Sequence, residues 1–413
     1  MARVVPFIPE RPSMIIQPED QLIFDHEPDP VEEVKKIGGK VRHRFDETEG
    51  KFRGFLDGTF RIARVGFAQK TGTPVFVASI SAGMLERDEY GYLRDVGISK
   101  DVKAIIFPFE TYKNWLKNSG YQDDAYGVEE FKQRLIWEKN AITEADLSRK
   151  RWGGFEIEKK ADLWMICDLS YWGLYKPEGP PKMPNFTRST DLFSGGIIRR
   201  RARARARVLM SMLEVSYLAF VRLKLRRDYK ILIDGVIPKK FRWFLAPTET
   251  EKSYQDIFAN TAGFIKNMRR RPRDELVYRE MLKMQPREFI LTLSDRHEEE
   301  KEFIDQAFGG DDLDDARMGF IYLRLRDPRL IYGKDVETIA GIVKVQYDPS
   351  LWGGDFDKAA EIAAMIHKET WPIPKDRKRA WNEIAPIEEA EKVAKSRLLT
   401  EEHLSGIVSY LFE

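Results

Sequence analysis

Two apolar runs in this sequence close on the same dipeptide: Phe55-Leu56-Asp57-Gly58 and Ile231-Leu232-Ile233-Asp234-Gly235. Short runs of this kind bounded by glycine predict buried strands, each ending where the backbone turns or approaches a partner closely. A carboxylate at such a position is costly to desolvate unless a cation or hydrogen-bond donors offset the loss. Glu214 lies between the two runs, on a stretch whose neighbours at helical spacing are Met210, Ser211, Tyr217, Leu218 and Val221. On that apolar face it is either paired with Arg207 or aimed at a cation. Three such carboxylates converging would call for a divalent metal. Asp-Gly is also a common turn dipeptide, and Asp168, after Trp164-Met165-Ile166-Cys167, is a rival strand-end carboxylate.

The 413 residues suffice for one large core with insertions or for two to three domains. A hydrophobic content of 42% argues against disorder, while 33% charged residues predicts a strongly ionic surface. The net charge is only +2, so affinity for nucleic acid must come from local clusters. Two exist: six arginines within residues 199–207, including Arg199, Arg200, Arg201 and Arg203, and four within 269–273, including Arg269, Arg270 and Arg271. A single cysteine, Cys167, excludes an intramolecular disulfide and a cysteine-based zinc cluster, and it points to the cytoplasm. The N-terminus carries Pro6, Pro9 and Pro12 and lacks the apolar core of a signal peptide. Val208 to Leu225 is interrupted by Glu214, Arg222 and Lys224, so no membrane helix is expected.

Along the chain, residues 1–45 read as an N-terminal arm: a docking segment, an edge strand or a frayed terminus. Residues 46–413 read as one domain with insertions at about 108–160 and 268–316. Three sequential strands are expected between Phe52 and Ile80, another at Leu163 to Ile166, then a long helix from about Arg200 to Arg226. Strands follow at 231–233 and 262–265, a charged helical block from Arg273 to Phe308, strands at Met318 to Leu325 and Ile339 to Val345, and helices at Asp355 to Lys368 and Ile387 to Phe412. The acidic turn at Asp311, Asp312, Asp314 and Asp315 reads as a solvated loop, since no calcium-loop spacing surrounds it. This order fits an α/β fold with a ribonuclease-H-like mixed sheet flanked by helices and carrying helical insertions.

The segments Phe55-Leu56-Asp57-Gly58-Thr59, Glu214, Ile231-Leu232-Ile233-Asp234-Gly235-Val236-Ile237-Pro238 and Ala262-Gly263-Phe264-Ile265-Lys266 together resemble the successive motifs of the NurA nuclease family. The resemblance covers about residues 50 to 396. It implies a two-metal-ion deoxyribonuclease, with exonuclease and single-strand endonuclease action, that uses Mn²⁺ or Mg²⁺ and works beside a HerA-like hexameric ATPase translocase in DNA repair or anti-phage defence. It implies a homodimer, with Asp57, Glu214 and Asp234 as metal ligands and Lys266 near the scissile phosphate. The family's C-terminal histidine falls on Glu391 here, a residue that can ligate the same hard ions. Thr59 and Val236 are milder departures from the family pattern.

No Walker A sequence is present, because Gly39-Lys40, Gly50-Lys51 and Gly333-Lys334 lack the following Ser or Thr. A motor would have to be another protein. The arginine clusters are expected to contact DNA phosphates, while Trp243 and Phe244 could stack on unpaired bases or lie buried. Two other readings stand beside the nuclease: a catalytically silent NurA-like adaptor that binds DNA and a ring ATPase, and a related enzyme acting on junctions or on RNA.

Overall fold

The computed structural model describes residues 7–15, 32–37, 39–144, 146, 163–171, 187–238, 251–266, 272, 274–294, 318–327, 341–371, 382–400, 402–404 and 406–407. Its first strands are β1 (Phe7–Ile15), β2 (Glu32–Val34), β3 (Arg42–Arg44), β4 (Gly54–Ala68), β5 (Pro74–Arg87), β6 (Leu93–Asp95) and β7 (Val102–Phe107). Helices α1 (Phe109–Asn118) and α2 (Gln122–Lys139) follow, then β8 (Ile142–Thr143), β9 (Leu163–Asp168) and the 25-residue helix α3 (Gly195–Ala219). After these come β10 (Ile231–Asp234), α4 (Glu251–Phe258), β11 (Thr261–Ile265), α5 (Glu275–Leu282), β12 (Glu288–Ser294), β13 (Met318–Arg324) and β14 (Ile342–Tyr347). The final helices are α6 (Pro349–Trp352), α7 (Phe356–Lys368) and α8 (Ala385–Ser396).

All the strands join one mixed sheet, with the main order β2-β12-β13-β14-β11-β10-β4-β5-β7-β9-β8. At its centre β4, β5 and β7 form an antiparallel meander, β10 lies parallel to β4, and β11 lies parallel to β10. Side chains alternate across a sheet, so the two faces separate cleanly. Leu56, Ile231 and Ile233 pack beneath α3 with Leu209 and Leu213. Phe55, Leu232, Ala262 and Phe264 pack on the opposite face with Ile362, Ile387 and Ala390 of α7 and α8. Among the described residues no helix is long and apolar enough to cross a membrane.

Four expectations change. Phe55-Leu56 and the run from Phe60 to Val65 belong to a single 15-residue strand, so Asp57-Gly58 continues β4 and makes no turn. The charged helical block after Arg273 contains β12, which hydrogen-bonds to β13 and is apolar at Phe289, Leu291 and Leu293. The helix expected from Ile387 is interrupted: it runs from Ala385 to Ser396, residues 402–404 and 406–407 are helical again, and Phe412 lies outside the described residues. Residues Phe7 to Ile15 of the arm form the strand β1 on β4, which is the edge-strand alternative.

The pairing of β4 is incomplete. On one side β10 pairs only with Gly54 to Leu56, and β1 joins only at Ile62. Residues 57 to 61 of β4 therefore have no strand on that side among the described residues. This leaves a window in the sheet beside Asp57 and Gly58.

Candidate active site

Asp57 sits in the fourth position of β4, in register with Gly83 of β5. A Cβ added at Gly83 would overlap the Ala390 carbonyl, so α8 lies directly on the sheet at this point. That close approach brings Glu391, the next residue of α8, into the electrostatic field of Asp57. Asp57 is buried and its Oδ2 has no hydrogen-bond partner. Burial, with Asp234, Glu391 and Glu214 adding repulsion against the pull of Lys266, raises its carboxyl well above the usual range.

Asp234 ends β10, as the sequence predicts. Gly235 follows with φ +83°, a conformation side chains rarely adopt, and its N–H donates to the Phe264 carbonyl at 2.7 Å. Gly263 admits this turn, since a Cβ there would stand 2.5 Å from the Gly235 carbonyl oxygen. The Ile237 N–H donates to Gln346 Oε1 at 2.8 Å and pins the far side. Burial raises the Asp234 carboxyl despite the opposing pull of Lys266.

Lys266, just past β11, places Nζ 3.1 Å from Asp234 and 2.8 Å from Glu383. Burial works against the ammonium, but Asp234, Asp57 and Glu383 outweigh it and hold its pKa above the ordinary lysine range. Glu383 was not among the residues expected from sequence. Burial pushes it up to about 7, with Lys266 opposing. Its signal was faint: one glutamate against Ile384, Pro386 and Ile387, where α8 begins.

Strand alternation assigns these groups to faces. Asp57 shares a face with Phe55, Asp234 with Leu232, and Lys266 with Ala262 and Phe264, all on the α7 and α8 side. Glu214 comes from α3 on the other side. It reaches the group through the window in the sheet, where the Gly58 N–H donates to its carboxylate. A Cβ at Gly58 would lie 2.5 Å from Glu214 Oε1 and 2.8 Å from Met210 Cγ, so this glycine is required for close approach and not for a turn. Burial, reinforced by Asp234, pushes Glu214 up to about 8.

The remaining expected residues divide. Asp168 is committed elsewhere: its carboxylate accepts from Glu110 N–H at 3.1 Å and Ser170 N–H at 2.9 Å, at the start of α1. Glu391 faces the cluster while pairing with Lys395 at 2.7 Å. In the first arginine run, Arg199 and Arg200 are exposed on α3, Arg201 pairs with Asp191 at 2.8 Å, and Arg203 is half-buried. Arg205 of the same run is buried in an ion pair with Glu144. At about 1.5 Å per residue, Arg199 to Arg203 lie about 17–22 Å along the helix from Glu214. Arg269, Arg270, Arg271, Trp243, Phe244 and the acidic turn at Asp311 to Asp315 lie outside the described residues.

A scan against protein-family models and a search of curated proteins found no match to this chain. Among the described residues no group of three or more His, Cys, Asp and Glu side chains is gathered as a metal site. The donor chemistry is nonetheless that of a hard divalent cation: carboxylate oxygens only, mutually repelling, with the buried Asp57 Oδ2 left without a partner. One ammonium, Lys266, stands against Asp57, Asp234 and Glu383.

Proposed function

We propose that this chain is a metal-dependent deoxyribonuclease with a ribonuclease-H-like core, of the NurA type. The observation that carries the reading is the convergence of Asp57, Asp234, Glu391 and, through the window in β4, Glu214 around a buried carboxylate oxygen without a partner. The central strand order β7-β5-β4-β10-β11, three antiparallel strands extended by two parallel ones, supports the fold assignment.

Asp57, Asp234, Glu214 and Glu391 would hold Mn²⁺ or Mg²⁺, which would supply an activated water and charge stabilisation for phosphodiester hydrolysis. The protein's own part is positional. The Gly58 N–H orients Glu214, and the pinned Asp234-Gly235 turn fixes the second aspartate. Lys266 offers a partly exposed cation beside the same carboxylates, suited to a phosphate oxygen. Arg199 and Arg200 lie too far along α3 to touch the reacting phosphate and suit a DNA backbone some distance away. A HerA-like translocase and a second copy of this chain complete the proposal as partners.

Asp57→Asn is expected to abolish Mn²⁺-dependent cleavage of single-stranded and duplex DNA, while Asp168→Asn retains it. Full activity of Asp57→Asn in purified protein would reject the assignment. One observation favours the adaptor reading: Lys266 already neutralises Asp234, and among the described residues no ready-made ligand group is gathered. Calorimetric titration with Mn²⁺ separates the two, because an adaptor takes up no ion at these carboxylates.

A further inference from the structure

Glu383 takes no part in the proposed metal chemistry, yet its carbonyl and its carboxylate are each engaged by a cationic side chain. It lies in the segment that leads into α8 and is buried. Its carbonyl accepts from Arg326 at 2.9 Å, and the neighbouring Asn382 Oδ1 accepts from the Gly341 N–H at 2.7 Å. The backbone of Glu383 is thus fixed from two directions. Its carboxylate then stands 2.8 Å from Lys266 Nζ, which is also 3.1 Å from Asp234. One cation is divided between two anions.

We infer that Glu383 is a positioning residue that receives Lys266 when a divalent ion takes Asp234, so that the lysine serves as the site's internal counter-cation until metal replaces it. The inference rests on the metal-dependent reading of this site. Its physical basis is charge balance. Asp57, Asp234 and Glu383 face one largely buried ammonium, with Glu391 and Glu214 adding repulsion to the same group. Without a cation such a cluster is costly to bury. An entering ion supplies two positive charges where Lys266 supplied one, and must compete with the ammonium for the Asp234 oxygens. If the displaced ammonium had no anion to go to, it would stay on Asp234 or face the ion unshielded. Glu383, its carbonyl held by Arg326 and its carboxylate already 2.8 Å from Nζ, accepts it without any movement of the backbone. A glutamate in this place therefore raises metal affinity without touching the metal.

The test is Mn²⁺ binding to the full-length purified chain, read as the loss of the free-ion electron paramagnetic resonance signal. Glu383→Gln is expected to weaken binding about 10- to 100-fold, the range seen when the partner of a ligand is removed. Lys266→Gln/Glu383→Gln, which removes one charge of each sign and so spares the fold, is expected to bind at least as tightly as the parent chain. Parent-like binding by Glu383→Gln overturns the inference. So does a double variant as weak as Glu383→Gln, since Glu383 would then act on the ion and not through the lysine. Failure of the parent chain itself to bind Mn²⁺ overturns the metal reading, and this inference with it. The first two outcomes leave the metal reading standing.

Discussion

At the scale of single residues, the site is defined by charges that the fold compels to share a small, largely desolvated volume. Glu214 makes this measurable. Its carboxyl, pushed up to about 8 by burial and by Asp234, has an ordinary value of 4.5 when the chain unfolds. A carboxyl raised on folding leaves stability undiminished below about pH 4.5 and takes it away as pH rises toward 8. The cost reaches about 1.4 kcal/mol per pH unit in that window. In metal-free protein the melting temperature should therefore fall from pH 5 to pH 8, and Glu214→Gln should flatten the fall. A variant melting as steeply as the parent chain across that range would remove Glu214 from the buried cluster. The apolar neighbours of Glu214 made it conspicuous in the sequence. Nothing in its spacing told that its partner would be the Gly58 N–H, because that contact crosses 156 positions of chain.

At the scale of elements, glycines set the distances. Asp57-Gly58 reads as a strand end because Asp-Gly so often turns, yet β4 runs straight through it. What ends there is the neighbour, β10, and the resulting window does the work that a turn was expected to do. Asp234-Gly235 does terminate a strand, and there the sequence reading holds. Gly83 is the sharpest example, because its missing side chain lets α8 lie on β5 and carry Glu391 to Asp57. Gly83→Ala must push the helix backbone away, since a carbonyl cannot rotate aside as a flexible side chain does. Such overpacking costs about 1–3 kcal/mol, and the proposed DNA cleavage should fall with it as Glu391 withdraws. Unchanged melting temperature and activity in this variant would show that α8 has no role in shaping the site.

At the scale of the whole molecule, one mixed sheet holds the two sides of the site together: α3 brings Glu214 from one face, while α8 brings Glu391 to the other, where Asp57, Asp234 and Lys266 stand. The same helix α3 carries the exposed Arg199 and Arg200 about 22 Å from Glu214. If these two hold DNA phosphates there, Arg199→Ala/Arg200→Ala should reduce the salt dependence of DNA binding by about one to two in log-log slope. An unchanged slope would place the DNA track elsewhere. The sequence by itself determined the long helix α3, the strand end at Asp234-Gly235 and the oddity of a glutamate on an apolar helix, because periodicity and turn chemistry are local. Only the tertiary structure decided that Asp57 lies within a strand, that Asp168 serves the start of α1, that Arg205 is buried against Glu144, and that Glu383 shares Lys266 with Asp234. Each of these depends on which distant segment arrives alongside, and a charge shows its role only when the groups that share its desolvated space are known.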